Sequence, residues 1–280
     1  MHFDGVVFGG GGCRCFWQAG FWATVAAPLG LEPRVISAVS AGAAFACTAI
    51  GGNTDTVVAE FVRQTARNKK NFYPRNLVGS RRAFPHEKIY RDTILNTTDE
   101  AMLARLRKGP EIRVLLARPP RRLGTRFAVG LGLATYQAEK MLRPGVHPTW
   151  PQRLGFRGTV VSAADCESPQ ALADLILQSS CMPPLTSVQR RDGNIVVDGA
   201  VIDPAPASLL SDAPSTLVLL TGRYADLPQQ PGRLYVQPSQ PVPIAMWDYA
   251  SPELVQAAFD LGRRDGDAFV RDAAPRHAER

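Results

Sequence analysis

The chain has 280 residues, of which 45% are hydrophobic and 20% charged, a composition typical of a globular protein with a large core. Its 32 lysines and arginines exceed its 25 acidic residues, and the net charge of +7 favours anionic partners such as phospholipid surfaces or nucleic acid. The basic residues form no nucleic-acid-binding motif, so no nucleic-acid partner is expected. No apolar run reaches the roughly 18–20 residues that span a bilayer, and the N-terminus has no signal-peptide pattern. We therefore expect a cytoplasmic protein whose contact with anionic membranes is peripheral.

The five cysteines occur in no disulfide-like pattern, which indicates a reducing compartment. Cys13 and Cys15 form a C-x-C pair, a spacing found in some metal sites. Because no second pair of ligands follows them, packing in the core is the favoured interpretation. The cysteine spacing therefore predicts no metal site.

Short, apolar and largely β-branched segments predict the strands of a buried parallel sheet. In chain order they lie at about Gly5–Phe8, Val35–Ala38, Ile112–Ala117, Gly158–Ala163, Ile195–Val197, Ser215–Leu220 and Leu234–Gln237. Helices are predicted between the strands, some with a serine N-cap and a proline at the first helical position. They cover about Arg14–Ala26, Ala41–Ile50, Asp55–Asn68 and Thr98–Lys108, with further starts at Ser168 and Ser251.

This alternation predicts an α/β protein with three layers, α/β/α, and a mainly parallel central sheet. We expect a single domain over residues 1–280 with a C-terminal helix at about 252–272. The stretch 118–151 breaks the pattern with two adjacent prolines and a glycine-rich apolar piece. It is interpreted as a surface insertion or as a cap over a site.

Four consecutive glycines, Gly9 to Gly12, directly follow the first predicted strand. Glycine-rich turns between a strand and a helix bind anions through their backbone N–H groups. A dinucleotide-binding G-x-G-x-x-G motif is excluded because its last position is Arg14 or Cys15, and a P-loop is excluded because no G-K-[ST] follows. The remaining interpretation is a loop that binds an oxyanion, with Arg14 beside it.

A second motif follows the second predicted strand, where Ala38-Val39-Ser40-Ala41-Gly42 leads into a helix of small residues. Strand, tight turn and helix form the setting of a nucleophile elbow, G-x-S-x-G, here with alanine at the first glycine. Small neighbours are needed because the strand and the helix pass close to each other. Taken alone, Ser40 is equally well interpreted as an ordinary helix N-cap.

A third motif, Asp198-Gly199-Ala200, directly follows the apolar predicted strand Ile195–Val197. A nucleophilic serine needs a base, and a carboxylate in a dry site serves because desolvation raises its affinity for a proton. Asp198 is the candidate for this role. The alternative is an ordinary D-G turn without a chemical task.

In this order the three motifs resemble those of the patatin-like phospholipase family, G-G-G-x-[KR]-G, G-x-S-x-G and D-G-[GA]. They read here Gly10-Gly11-Gly12-Cys13-Arg14-Cys15, Ala38-Val39-Ser40-Ala41-Gly42 and Asp198-Gly199-Ala200. A further segment, Gln178 to Pro184, is similar to the family's A-S-S-A-I-P segment. The resemblance therefore spans about residues 5–205.

The resemblance implies a lipid acyl hydrolase of the phospholipase A, lysophospholipase or lipid esterase type, which cleaves a lipid or lysophospholipid through an acyl-enzyme. Ser40 would be the nucleophile and Asp198 the base of a Ser–Asp dyad, without metal or cofactor. The oxyanion hole would be formed by Gly10, Gly11, Gly12 and Arg14. The residues that would shape the elbow and the D-G turn are Ala38, Gly42, Gly199 and Ala200.

Three alternatives stay open at this point. The order Ser40, Asp198, His277 matches the triad order of α/β-hydrolases, although His277 lies in a short charged terminus. A protein that binds lipid or acyl ligands without cleaving them is the alternative favoured by Ala38 and Cys15, which replace family glycines. A basic scaffold for nucleic acid is supported by net charge alone. The acyl position, chain length, head group and oligomeric state are not predicted.

Overall fold

The computed structural model describes residues 1–78, 82–120, 130 and 145–273. His277 and most of the predicted insertion at 118–151 lie outside the described residues. Within them the chain forms an α/β fold in which a central sheet is flanked by helices, as the sequence predicts. No helix in this part of the chain is both long and apolar enough to cross a bilayer.

The sheet of the described residues has eight strands. They are β1 (Gly5–Phe8), β2 (Val35–Val39), β3 (Glu111–Arg118), β4 (Arg157–Ser162), β5 (Gln189–Arg191), β6 (Asn194–Asp198), β7 (Thr216–Leu219) and β8 (Arg233–Val236). The strand order is β5-β6-β3-β2-β1-β7-β8, and β4 pairs with β3 beside this path. Strands β3, β2, β1, β7 and β8 are parallel neighbours, whereas β4, β5 and β6 pair antiparallel. Strands in the parallel centre of a sheet are covered by helices on both faces, which explains why their sequences are continuously apolar.

The helices lie between the strands in the chain and at its C-terminal end. They are α1 (Phe16–Val25), α2 (Ala41–Gly51), α3 (Thr54–Ala66), α4 (His86–Thr97), α5 (Glu100–Lys108), α6 (Trp150–Arg153), α7 (Pro169–Ser179) and α8 (Pro252–Ala273). The N-cap of α7 is Ser168, whose hydroxyl accepts the Ala171 N–H, with Pro169 at the first helical position. Helix α5 departs from the prediction, because its cap is Asp99 and not Thr98: the Asp99 carboxylate accepts the Met102 N–H.

Helix α4 and strand β5 were not predicted from the sequence. The segment of β5, Gln-Arg-Arg, has no apolar residue, so neither hydrophobic alternation nor β-propensity marks it. Helix α4 has a balanced mixture of polar and apolar residues and no side-chain cap, because Pro85 occupies the N-cap position. Tertiary contacts, rather than local signals, determine both elements.

Helix α8 packs along α1, the helix that follows the glycine loop, through glycines on both helices. A Cβ atom on Gly20 would lie 2.0 Å from the Phe259 carbonyl oxygen, and one on Gly262 would lie 2.0 Å from the Trp17 carbonyl oxygen. The indole N–H of Trp17 also donates to Asp265 at 2.7 Å. This close contact fixes the helix that carries the glycine loop at its N-terminal end.

Strand β3 brings the ends of β2 and β6 together. One edge of β3 pairs with β4 over Arg113 to Arg118, so its other edge is shared by β2 up to Leu115 and by β6 from Leu116. In this register Val39 lies opposite Leu115, and Asp198 lies opposite Leu116. Since β2 and β6 run in opposite directions along this edge, their C-terminal ends meet, and the residues that follow Val39 lie beside Asp198.

Candidate active site

Ser40 occupies a strained turn between β2 and α2. Its backbone has φ 55° and ψ −136°, in a region that non-glycine residues rarely adopt and that costs roughly 1–3 kcal/mol. Ser40 stands at the N-cap position of α2, but its hydroxyl does not cap the helix. A Cβ atom on Gly42 would lie 2.4 Å from the carbonyl oxygens of Phe8 and Gly9, so only glycine fits at this position. Strand, strained serine and close helix form the geometry of a nucleophile elbow.

The Ser40 hydroxyl donates a hydrogen bond to Oδ2 of Asp198 at 2.7 Å, and both residues are buried. Asp198 Oδ1 accepts the Ala200 N–H at 2.8 Å, and this bond orients the carboxylate. The turn is closed by Gly199, where a Cβ atom would lie 2.2 Å from the Leu115 carbonyl oxygen. The D-G segment is therefore more than an exposed turn, because its aspartate faces the strained serine.

Burial changes the acid–base properties of Asp198. Loss of solvent raises its pKa from the ordinary value near 3.8 to about 7. The hydrogen bonds from Ala200 and Ser40 lower the pKa, but their effect is smaller than that of burial. A carboxylate with this pKa takes up a proton more readily near neutral pH than an exposed aspartate does. It lies within hydrogen-bond reach of the hydroxyl whose proton it would accept.

Ser179, at the end of α7, holds the elbow from behind and was not assigned a role from the sequence. Its hydroxyl accepts the Ser40 N–H at 2.8 Å and donates to the Leu115 carbonyl oxygen at 2.7 Å. Ser179 has no exposed surface. The segment that resembles the A-S-S-A-I-P motif therefore supports the backbone of Ser40, a role that only the three-dimensional contact reveals.

The glycine loop lies against the same turn, and its four glycines differ in their hydrogen bonds. The Gly9 and Gly10 N–H groups donate to the carbonyl oxygens of Leu219 at 3.1 Å and Pro204 at 2.8 Å. Gly11 and Gly12 donate to no acceptor among the described residues. Both line the cleft that contains Ser40 and Asp198. The structure therefore gives the Gly10 N–H a different partner and leaves Gly11 and Gly12 as the candidate oxyanion donors.

Glycine is required at both candidate donor positions. A Cβ atom on Gly11 would lie 2.2 Å from Oγ1 of Thr221, and one on Gly12 would lie 2.2 Å from the Met246 carbonyl oxygen. Gly12 also has φ +55°, which glycine adopts without strain. The loop thus packs against the segments after β7 and β8 with no room for side chains.

Arg14 is half-buried, and its side chain makes no hydrogen bond or ion pair with any described residue. Its backbone N–H donates to the Gly11 carbonyl oxygen at 3.2 Å and closes the loop.

Cys15, at a family glycine position, is fully buried with its Sγ 3.5 Å from the Gly9 carbonyl oxygen. Burial raises the pKa of the Cys13 and Cys15 thiols, which keeps both protonated. Among the described residues, no group of three His, Cys, Asp or Glu side chains is placed to hold a metal ion.

Ala38, the other departure from the family pattern, is fully buried within β2 and packs in the main core. A cleft that opens to solvent lies in front of Ser40. Its walls are mostly apolar and include Met182, Pro183, Pro184, Leu185, Val201, Pro204, Met246 and Trp247. Ala200 also lines it, next to the Asp198 carboxylate. A cleft of this character suits an apolar ligand with one polar centre.

Two histidines near the sheet have partners other than Ser40. His147 lies 2.9 Å from Oδ1 of Asp203 through Nδ1 and 3.0 Å from the Tyr235 hydroxyl through Nε2. His86 donates from Nε2 to the Trp247 carbonyl oxygen at 2.9 Å. Sequence reasoning missed both contacts, because their partners are 56 to 161 residues away. Neither histidine forms a triad with Ser40.

A small niche adjoins Ser40 on the side of α4, with Ala41 and Gly12 in its wall. Nδ1 of His86 is buried near it without a hydrogen-bond partner among the described residues, and the Tyr90 and Ser180 hydroxyls interact with each other there. Because burial lowers the pKa of His86 and Nε2 carries the donated hydrogen, Nδ1 is an acceptor. The niche therefore offers several hydrogen-bonding groups to a small polar molecule such as water.

Three comparisons with known proteins complete the description of the site. The family model described as "Patatin-like phospholipase" matches residues 6–211. A solved structure, VipD from Legionella pneumophila, is similar at 10% identity with a TM-score of 0.43, over 96% of this chain and 67% of that one. No curated protein sequence matches. Since the family match covers most of the chain and contains all three motifs, the chain belongs to the patatin-like phospholipase family.

Proposed function

We propose that the protein hydrolyses the acyl ester of a lipid or lysophospholipid with Ser40 as nucleophile and Asp198 as base. The observation that carries this proposal is the 2.7 Å hydrogen bond from the hydroxyl of a strained serine to a buried carboxylate. Family membership supports lipid acyl hydrolysis in general. The dyad, the oxyanion donors and the type of ester are the finer part of the proposal.

The reaction would proceed through two displacements at the acyl carbon. Asp198 accepts the Ser40 proton while Oγ attacks the carbonyl carbon, and the tetrahedral oxyanion is bound by the N–H groups of Gly11 and Gly12. Collapse expels the alcohol, which takes the proton from Asp198, and leaves the acyl chain on Ser40. Asp198 then removes a proton from a water molecule that attacks the acyl-enzyme. The fatty acid leaves, and Ser40 regains its proton.

Covalent labelling tests the nucleophile directly. Wild type treated with an alkyl fluorophosphonate is expected to gain a single adduct by intact mass, located on Ser40 by peptide mapping. Ser40→Ala should take none, and Ser180→Ala, which removes a hydroxyl from a nearby buried serine, should still be labelled. A folded wild type that takes no adduct but binds a fatty acid would support the non-catalytic binding protein instead.

An exposed segment beside the cleft supports contact with an anionic membrane. Phe72, Leu77 and Val78 are 41%, 67% and 91% exposed, and Lys69, Lys70 and Arg75 around them are exposed as well. We refer to residues 69–78 as the apolar–basic loop. Asn71 in this loop accepts the Tyr249 N–H at 2.7 Å and donates to Asp248 at 3.2 Å, next to Trp247 in the cleft wall. Apolar side chains among exposed cations suit insertion into anionic lipid headgroups.

Vesicle flotation tests this contact. Wild type is expected to bind vesicles that contain phosphatidylglycerol more strongly than pure phosphatidylcholine vesicles, and less at high salt. Leu77→Asp/Val78→Asp should lower binding severalfold while hydrolysis of a soluble ester continues, because neither residue lines the cleft. Leu154→Asp replaces a leucine that is 42% exposed in a different segment and should bind as wild type does. Equal binding by the double variant and wild type would exclude the loop as the contact.

We propose that the protein is cytoplasmic and binds membranes peripherally. Its five cysteines are free and buried, which is in keeping with a reducing compartment.

A further inference from the structure

A second cavity lies behind the elbow, in the core between the helices. It is a small cavity with an almost entirely apolar lining. One wall is a face of α2, with Ala41, Ala44, Phe45 and Thr48 at helical spacing. Another wall is a face of α4, with Tyr90, Thr93, Ile94 and Thr97 at the same spacing. We refer to this cavity as the α2–α4 channel.

Four threonines, Thr48, Thr93, Thr97 and Thr98, line the channel, and the hydroxyls of the first three are bound within a helix. The Thr48 hydroxyl donates to the Phe45 carbonyl oxygen at 3.1 Å, Thr93 to Ile89 at 2.9 Å and Thr97 to Thr93 at 2.7 Å. These hydroxyls are satisfied within their own helices and need no partner in the cavity. A ligand in the channel would therefore meet chiefly apolar surface.

The channel begins beside the reacting groups. Its wall contains Gly12, which belongs to the oxyanion loop, and Ala41, which follows the nucleophile in the chain. The niche described above shares Gly12, Ala41, Tyr90 and Tyr249 with the channel. It also shares Gly12, Ser40, Leu185 and Trp247 with the catalytic cleft. The niche thus lies between Ser40 and the channel.

We propose that the α2–α4 channel holds the acyl chain of the substrate and sets its length. This inference rests on the proposed function, because it concerns the acyl group attached to Ser40. From Ala41 to Thr48 the wall covers seven helical steps, about 10 Å, the length of about eight extended methylene groups. Helix α2 starts at the nucleophile, so the far end lies near Thr48, Val57 and Met102. The substrate is therefore an ester of a straight, medium-length acyl chain of about eight to ten carbons.

The walls favour a straight chain. The bulky side chains of Phe45, Phe61, Leu172 and Ile176 line the channel, and we expect them to disfavour branched and aromatic acyl groups. In the niche, Gly12, Ala41 and Tyr249 would contact the methylenes next to the carbonyl.

Ala44 and Met102 allow the chain-length assignment to be tested in both directions. Ala44→Phe fills the channel close to Ser40, and Ala44→Ser is its matched control with nearly unchanged volume. Met102→Ala removes side-chain volume at the far end. The measurement is kcat/KM for p-nitrophenyl esters of two to sixteen carbons, read as the ratio of each rate to that for the acetate.

Wild type should show the highest ratio at eight to ten carbons. Ala44→Phe should lower the ratio for octanoate at least about tenfold, since even one misfit methylene is worth that much in an apolar pocket. Ala44→Leu is the milder variant if the phenylalanine prevents folding. Met102→Ala should move the maximum towards longer chains. Unchanged profiles in folded variants would overturn the channel, even if Ser40-dependent hydrolysis is confirmed.

A binding measurement separates this inference from the catalytic proposal. Decanoate binding is measured by calorimetry in the Ser40→Ala background, with and without Ala44→Phe. Loss of binding on adding Ala44→Phe supports the channel whether or not wild type turns over esters. Equal binding by both proteins shows that the chain lies elsewhere. Absence of esterase activity and of Ser40 labelling in wild type would count against the catalytic proposal alone.

Discussion

Asp198→Asn is expected to lower kcat/KM for a soluble ester by about 10³-fold, within the range of about 10²–10⁴ that a general base contributes. Asparagine has nearly the same shape and still accepts the Ala200 N–H through its carbonyl oxygen. Its NH₂ group, however, takes no proton from Ser40. The variant therefore removes the base while it preserves the hydrogen-bonded turn.

The activity of the wild type should depend on the ionisation of the same carboxyl group. Its pKa is about 7, so the base is protonated and inactive below this pH and ionised above it. We expect kcat/KM to rise through pH 7 to a plateau. The residual rate of Asp198→Asn should lack this step. Asp203→Asn, at a buried aspartate that pairs with His147, is the matched control and should keep the step.

The same substitution should stabilise the fold at high pH. An unfolded aspartate has a pKa near 3.9, so between about pH 4 and pH 7 the folded wild type holds a proton that the unfolded chain has lost. Stability therefore falls as the pH rises through this window, and the full penalty is present above pH 7. Asparagine carries no such penalty, and Asp198→Asn should be more stable than wild type at pH 8 by up to about 4 kcal/mol.

Urea unfolding at pH 8 and pH 4 measures this difference, which should shrink at the lower pH. If the variant is both inactive and more stable at pH 8, this supports the view that Asp198 serves catalysis and lowers the stability of the fold. Two results would contradict the dyad. One is turnover like that of wild type in Asp198→Asn, and the other is a pH step that survives the substitution.

The parallel centre of the fold was predictable because each of its strands has a local signal. Strands β1, β2 and β7 are short apolar runs flanked by turns, and their predicted bounds agree with the structure to within one residue. The glycine loop, the elbow and the D-G turn were equally visible, since each depends on residues adjacent in the chain. Local physics therefore identified these strands and the three motifs.

The contacts that join these motifs were not predictable in the same way. The meeting of Ser40 and Asp198 depends on β2 and β6 sharing one edge of β3, a register set by pairs up to 82 residues apart in the chain. Pro204, which accepts the Gly10 N–H, and Ser179, which supports Ser40, lie 194 and 139 residues from their partners. No periodicity or turn chemistry reports such contacts. The residues made Asp198 the candidate base for Ser40, the family resemblance implied the dyad, and the structure supplies the physical cause of their contact.

Gly11→Ala is the second substitution for which we expect a large effect, a fall in kcat of about 10²–10³-fold, the loss that follows removal of an oxyanion donor. The new Cβ atom would lie 2.2 Å from Oγ1 and 2.7 Å from Cβ of Thr221. Thr221 is short and donates to the Gly10 carbonyl oxygen at 2.6 Å, so it has little freedom to move. The loop must shift instead, and with it the N–H groups of Gly11 and Gly12.

Gly222→Ala is the matched control, because its new Cβ atom would come no closer than 3.9 Å to another residue, Tyr224. It should keep the activity of the wild type. Removing the opposing side chain, in Gly11→Ala/Thr221→Gly, should restore part of the lost kcat. Since the oxyanion forms only in the transition state, Gly11→Ala should lower kcat far more than it changes KM. If Gly11→Ala and Gly222→Ala both turn over at the wild-type rate, the donors lie outside this loop. In that case the glycines serve only the close packing of the loop against Thr221 and Met246.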